Sequence, residues 1–143
     1  MPNYLVIGGI SSGKSSFAEQ IVKDVCKVSK NSKIYYLATA PITDDEIVSR
    51  IMEIEETNII VLIECLTTWL SNLIFHKADL DYNTEKLINF LATNTNATII
   101  LVTNDLGESV ISANKETREF QKHNGKLNQD TAKICDSVYK VTA

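Results

Sequence analysis

The sequence predicts an α/β domain with a mainly parallel sheet flanked by helices, on three observations. Short apolar runs alternate with segments of helical periodicity along nearly the whole chain. Two of those runs, Asn58–Ile63 and Ala97–Val102, are apolar on both faces, as strands covered from both sides are. The first run enters a helix through a turn rich in Gly and Ser, the opening half of a right-handed βαβ crossover.

The elements follow in order. Tyr4–Ile7 is a β-prone run that stops at Gly8, and Phe17, Ala18, Ile21, Val22 and Val25 then recur at helical spacing. Lys27–Lys33 is polar and closes the first crossover; Ile34–Leu37 reads as the second strand, and Pro41 ends the segment behind it. Thr43 or Asp44 caps a helix that shows Ile47, Val48 and Ile51 on one side and runs to about Glu56. Asn58–Ile63 is the third strand, closed by Glu64. Cys65–Phe75 reads as a helix with Leu66, Trp69, Leu70, Leu73 and Ile74 as its apolar stripe. His76–Asn83 is a polar link, and Thr84–Thr95 a further amphipathic helix through Leu87, Ile88 and Leu91. Ala97–Val102 is the fourth strand. Ser112 to about Cys135 is polar and mostly helical, interrupted near Asn124-Gly125, and Ser137–Val141 is a last strand at a sheet edge.

At 143 residues the chain is expected to form one domain, 1–143, with a single substantial core. A net charge of −4 gives no electrostatic footprint for nucleic acid or for an acidic membrane surface. No apolar run approaches the length needed to span a membrane and no signal-peptide pattern opens the chain, so a cytoplasmic location is expected. Cys26, Cys65 and Cys135 are odd in number and widely separated, without a C-x-x-C pair, which suggests neither a disulfide framework nor a zinc site.

Gly8, Gly13, Lys14 and Ser15 fit the pattern G-x-x-x-x-G-K-[ST] between a strand and a helix, the context that a phosphate-binding P-loop requires. The glycines let the backbone turn tightly and bring successive N–H groups to phosphate oxygens. The helix starting near Gly13 adds its positive end. Lys14 supplies a mobile cation for the β/γ-phosphates and Ser15 a hydroxyl for Mg2+. Gly8, Gly9, Ile10, Ser11, Ser12, Gly13, Lys14, Ser15 and Ser16 are therefore the expected nucleotide-binding loop. Such a loop reads phosphates, so ATP and GTP both remain open.

In a parallel sheet, ligands bind beyond the carboxyl ends of the strands. There the sequence places Ala38–Thr43, Glu64, and Thr103, Asn104 and Asp105 beside the loop. Glu64 stands where a Walker-B-type acid would hold Mg2+ through water or take a proton from an attacking hydroxyl; the other reading is a helix N-cap acid facing solvent. Asp44, Asp45 and Glu46 suit metal or substrate binding and equally suit a helix first turn. Arg50 either reaches a phosphate or is a solvated surface arginine. Thr103 and Asn104 either anchor substrate and sense the γ-phosphate or simply cap the loop. Lys115, Arg118, Lys122 and Lys126 give the last helix a basic face, from which one member could contact a triphosphate.

With these residues placed, the chain resembles the adenosylcobinamide kinase/adenosylcobinamide-phosphate guanylyltransferase family of cobalamin biosynthesis. The matching stretches are GGISSGKS, YYLATAPITDDEIVSRI, ECLTTWLSNLIF and LVTNDLGESVISANKETREFQKHNGKLNQ, in the family's order and over nearly the whole chain. The resemblance implies a RecA-like P-loop NTPase domain that phosphorylates the hydroxyl of a corrinoid, adenosylcobinamide, with a nucleoside triphosphate. It also implies GMP transfer from GTP through a guanylylated histidine, and assembly as a homo-trimer. It places Lys14 and Glu64 in catalysis, and Thr39, Asp44, Asp45, Arg50, Asn104 and Arg118 at motif positions for substrate or phosphate contact.

Several family positions differ. The family arginine of RSGKS is Ser11 here, the FRD arginine is Gln121, and GIVPxN has become Ser109–Asn114. After Arg50-Ile51, a stretch on the order of 30 residues, about one βα unit, is absent relative to the family pattern. With it goes the histidine that would carry GMP, and His76 and His123 do not match its place. Phosphoryl transfer is thus the expected chemistry, with guanylyl transfer in doubt. A P-loop kinase with another small-molecule acceptor and a non-catalytic nucleotide-binding homologue are the alternatives.

Overall fold

In the computed structural model, which describes residues 2–9, 12–29, 32–38, 46–54, 58–94, 97–106 and 114–142, five strands pair in parallel. They are β1 (Asn3–Gly8), β2 (Lys33–Ala38), β3 (Ile59–Glu64), β4 (Ala97–Asn104) and β5 (Ser137–Val141). Their spatial order is β2-β3-β4-β1-β5. The two runs read as buried from both sides, β3 and β4, are adjacent in the sheet interior, and β5 is an edge strand as expected. Five helices are described between the strands: α1 (Lys14–Val28), α2 (Glu46–Met52), α3 (Leu66–Phe75), α4 (Leu80–Thr93) and α5 (Lys115–Ile134).

Strand residues alternate between two apolar clusters. Leu5, Ile59, Val61, Ile63, Ala97, Ile99 and Leu101 point to a large cluster that also takes Val48 and Ile51 of α2, Leu66, Trp69, Leu70 and Leu73 of α3, Leu87 and Leu91 of α4, and Leu127 of α5. Val6, Ile60, Leu62, Ile100 and Val102 point the other way, onto Ala18 and Val22 of α1. Four helices thus cover one face, and α1 is the one helix among the described residues that covers the other.

Three helices, α4, α2 and α5, differ from the sequence reading by more than a residue or two or in continuity. α4 begins at Leu80 because the Asp79 side chain caps it, accepting from Tyr82 N–H at 3.0 Å; the polar link is correspondingly shorter. α2 ends at Met52, with a tight bond from Ile54 N–H to the Ile51 carbonyl instead of a helical continuation toward Glu56. α5 runs unbroken through Asn124-Gly125. Asn124 does not divert the helix backbone there, because its side chain is spent on bonds to Asn104 and Thr67.

The path from α2 to β3 spans only residues 53–58. That is too short for a further strand and helix, in keeping with the unit missing from the sequence pattern.

Candidate functional site

β1 ends at Gly8, and side-chain room ends with it. A Cβ on Gly8 would lie 2.5 Å from Ser12 Oγ and 2.8 Å from the Val141 carbonyl of β5. The Gly8 carbonyl accepts from Asp105 N–H at 2.9 Å, which carries the β1–β4 ladder one residue past β4. On the far side of the loop, Gly13 adopts φ +90°, a left-handed conformation that favours glycine.

Gly13 also occupies the N-cap of α1, so no side chain caps that helix, and its first turn holds no acid. The free N–H groups of the turn and the helix dipole therefore present positive potential to the loop. Lys14 adds a full charge; its Nζ donates to the Gly9 carbonyl at 3.2 Å, which folds the side chain back over the loop. Ser15 and Ser16 are exposed on the same first turn. These features together suit an anion at the carboxyl end of β1.

The strand register brings two polar residues to it. Leu62 and Val102 point to the α1 face, so Glu64 and Asn104, each two residues further on, point there as well. Gly8 and Asn104 are register partners, and Glu64 pairs with Val102. Because β4 lies between β1 and β3, Asn104 sits one strand from the loop and Glu64 two, roughly 10 Å by the usual strand spacing. Such a gap admits a phosphate with its attacking group. Among the described residues, two polar atoms in this region, Ser12 Oγ and Asn104 Oδ1, are buried without a hydrogen-bond partner.

Of the expected site residues, Gly8, Gly9, Ser12, Gly13, Lys14, Ser15, Ser16, Glu64 and Asn104 fall together. Glu64 is half-buried and is not the cap of α3: Cys65 occupies that position, after a cis Glu64–Cys65 bond. Arg50 is exposed at the end of α2 and Arg118 on the first turn of α5. Ile10, Ser11, Thr39, Asp44 and Asp45 lie outside the described residues. His76 and His123 are both exposed, with His76 edge-on to Phe75 at 5.1 Å.

Thr103 departs from expectation. It is fully buried on the α5 side of the sheet, where its hydroxyl donates to Asn128 Oδ1 at 2.7 Å, so it does not face the loop. The residues around it are Thr67 of α3 and Asn124 and Asn128 of α5, none of which the sequence marks as part of a site. The available signal was Asn124, Leu127, Asn128 and Thr131 on one buried stripe of α5, polar groups where a core-facing helix puts apolar ones.

A family model described as cobinamide kinase / cobinamide phosphate guanyltransferase matches residues 4–57 and 49–143. The bifunctional adenosylcobalamin biosynthesis protein CobU of Escherichia coli (strain K12) is 29% identical over 177 aligned positions, covering 97% of this chain and 94% of the relative. The alignment is longer than the 143-residue chain, so it includes positions that the relative has and this chain lacks. CobU of Salmonella typhimurium is 27% identical with the same coverage, and CobP of Pseudomonas aeruginosa 29% identical over 94% of this chain and 89% of its own. Among solved structures, the RuvB Holliday junction branch migration motor of Thermotoga maritima superposes with a TM-score of 0.58 at 14% identity. The match takes in 99% of this chain and 38% of RuvB, and it shows a shared P-loop NTPase fold only.

Proposed function

Because the chain belongs to the cobinamide kinase / cobinamide phosphate guanyltransferase family, we propose that it transfers the γ-phosphoryl group of ATP or GTP to the hydroxyl of a cobinamide-type corrinoid, as one catalytic domain in the cytoplasm. The observation that carries this reading is the uncapped start of α1, with Lys14 over the loop and Glu64 on the same sheet face. Loop N–H groups and Lys14 neutralise charge on the β- and γ-phosphates as the transferring group loosens. Glu64 takes the proton of the acceptor hydroxyl; the hydroxyl oxygen bonds to the γ-phosphorus, and the bridging oxygen leaves on the nucleoside diphosphate.

Mg2+ suits this donor set. It takes one or two protein ligands and otherwise phosphate oxygens and water, and no cluster of three or more His, Cys, Asp or Glu occurs among the described residues. Ser15 would hold it, with Glu64 acting through water. Bound there, it would supply further neutralisation of phosphate charge.

The reading assigns phosphoryl transfer and leaves out guanylyl transfer. Six residues join α2 to β3, where the family resemblance puts the histidine segment, and the two histidines present are exposed elsewhere. Incubation with γ-labelled and α-labelled GTP, with and without adenosylcobinamide, tests both halves. The γ label is expected on the corrinoid, and the α label on neither protein nor product. An acid-labile, base-stable α label on the protein would restore guanylyl transfer and point to His76 or His123. Triphosphate binding with no transfer to any acceptor would leave a nucleotide-binding homologue without catalysis.

A further inference from the structure

Asn104 is gripped by its backbone while its side chain is left uncommitted. Its N–H donates to Thr67 Oγ1 at 3.0 Å. Its carbonyl accepts twice, from Asn124 Nδ2 at 2.9 Å and Asn128 Nδ2 at 3.0 Å. Thr67 and Thr103 then fix the two asparagines from behind, donating to Asn124 Oδ1 at 3.0 Å and to Asn128 Oδ1 at 2.7 Å. Each hydroxyl has one proton and each is used, so the 3.3 Å approach of Thr67 to Thr103 has none left to share. The direction of every bond is thereby set, and both carboxamides of α5 are oriented.

All of these contacts lie on the face opposite the P-loop or in the plane of the sheet. The Asn104 carboxamide points to the loop face, one strand from Gly8. Among the described residues its Oδ1 is buried without a partner, and none of its hydrogen bonds involves the side chain. The Oδ1 atoms of Asn3 and Asn83 are unpartnered too, but each of those side chains spends its Nδ2 on a main-chain carbonyl, whereas Asn104 commits neither atom among the described residues. A bond network that fixes the main chain and frees the side chain is what a ligand contact requires.

We propose that Thr67, Asn124 and Asn128 are positioning residues that hold the Asn104 carboxamide against the terminal phosphate of a bound nucleoside triphosphate. The amide Nδ2 donates to a γ-phosphate oxygen, and Oδ1 accepts from the hydroxyl or water that arrives with it. The diphosphate offers no such oxygen, so this contact discriminates triphosphate from diphosphate. The inference rests on the P-loop reading above.

Titration calorimetry with a non-hydrolysable GTP analogue and with GDP, in Mg2+, tests it on the wild type and four variants. Asn104→Ala keeps every backbone bond of the clamp. It should weaken analogue binding about tenfold, the loss of a hydrogen bond to a charged group, and leave GDP within about twofold. Asn124→Ala and Asn128→Ala should lower the analogue-to-GDP affinity ratio in the same direction, by about three- to tenfold, at unchanged circular dichroism. Each removes one of two donors to the Asn104 carbonyl, so one variant serves if the other does not fold. A general loosening would weaken both ligands alike and leave the ratio fixed.

An unchanged ratio in Asn104→Ala overturns the proposal while the P-loop reading stands. An unchanged ratio in both α5 variants overturns the positioning role of α5. Wild-type protein that binds neither nucleotide, or Lys14→Ala that binds both normally, overturns the P-loop reading and this inference with it.

Discussion

The Lys14 ammonium lies 3.2 Å from the Gly9 carbonyl, which ties the side chain back to its own loop. In the proposed function this contact would hold the cation over the bound phosphates and limit the side-chain entropy lost when a phosphate oxygen takes the carbonyl's place. Lys14→Ala should therefore lower phosphoryl transfer by on the order of 100-fold or more, read as label released from γ-labelled nucleotide. Cys65→Ser, one residue from Glu64, should leave activity within about twofold. Serine suits the helix-capping position that Cys65 occupies in α3.

Glu64→Gln keeps the size and the hydrogen-bonding reach of the side chain and removes its capacity to accept a proton. The expected result is a fall in kcat of about 100-fold or more, with triphosphate affinity nearly unchanged. Steady-state kinetics beside equilibrium binding separates the two quantities. An equal loss in both would make Glu64 a binding residue only.

Gly8 is enclosed by a backbone carbonyl as well as by a side chain, and only the side chain can move away cheaply. Gly8→Ala should destabilise the protein by about 1–3 kcal/mol through the Val141 carbonyl at 2.8 Å from the new Cβ. Chemical denaturation measures the loss, and nucleotide binding should fall with it as β5 is pushed from the loop.

Gly125 is the opposite case. It lies inside α5, and a Cβ there would meet nothing within 4 Å. Gly125→Ala should raise stability by about 0.5–1 kcal/mol, because alanine loses less backbone entropy in a helix. A higher denaturant midpoint at unchanged slope is the expected observation.

Burial, with the Asp136 carboxylate as the second cause, pushes the Cys135 thiol up to about 12. Well below pH 9 the thiol is neutral in folded and unfolded chains alike, and it contributes nothing to the pH dependence. Above that, the unfolded thiol ionises and the folded one does not, so stability is lost as pH rises toward about 12. Melting temperatures across that window should fall less steeply in Cys135→Ala than in the wild type.

The sheet and the loop were legible because their signals are local. Apolar runs such as Ile59–Ile63 need cover on both faces, and Gly8, Gly13, Lys14 and Ser15 mark a phosphate loop by spacing alone. Placing Glu64 on the loop face needed only the alternation of β3. The buried bonds of Thr67, Thr103, Asn124 and Asn128 were not legible, since they join three elements far apart in sequence. Asn124-Gly125 even reads as a helix break, because its turn chemistry is local and the partners that override it are not. Asp79 is not legible as a cap for a related reason: a polar link and a capped first turn use the same residues.

The uneven cover of the sheet has a consequence for how the molecule opens. Ala18 and Val22 of α1 seal the smaller cluster without help from another described helix, and the same α1 starts at the phosphate loop. A nucleotide bound there must be released before α1 can detach, so its binding free energy adds to the energy of that local opening. Amide hydrogens of α1 that exchange through this opening should then exchange more slowly as nucleotide concentration rises. Proteases that cut exposed segments encounter the same gate: the supply of nucleotide sets how often this half of the core comes within their reach.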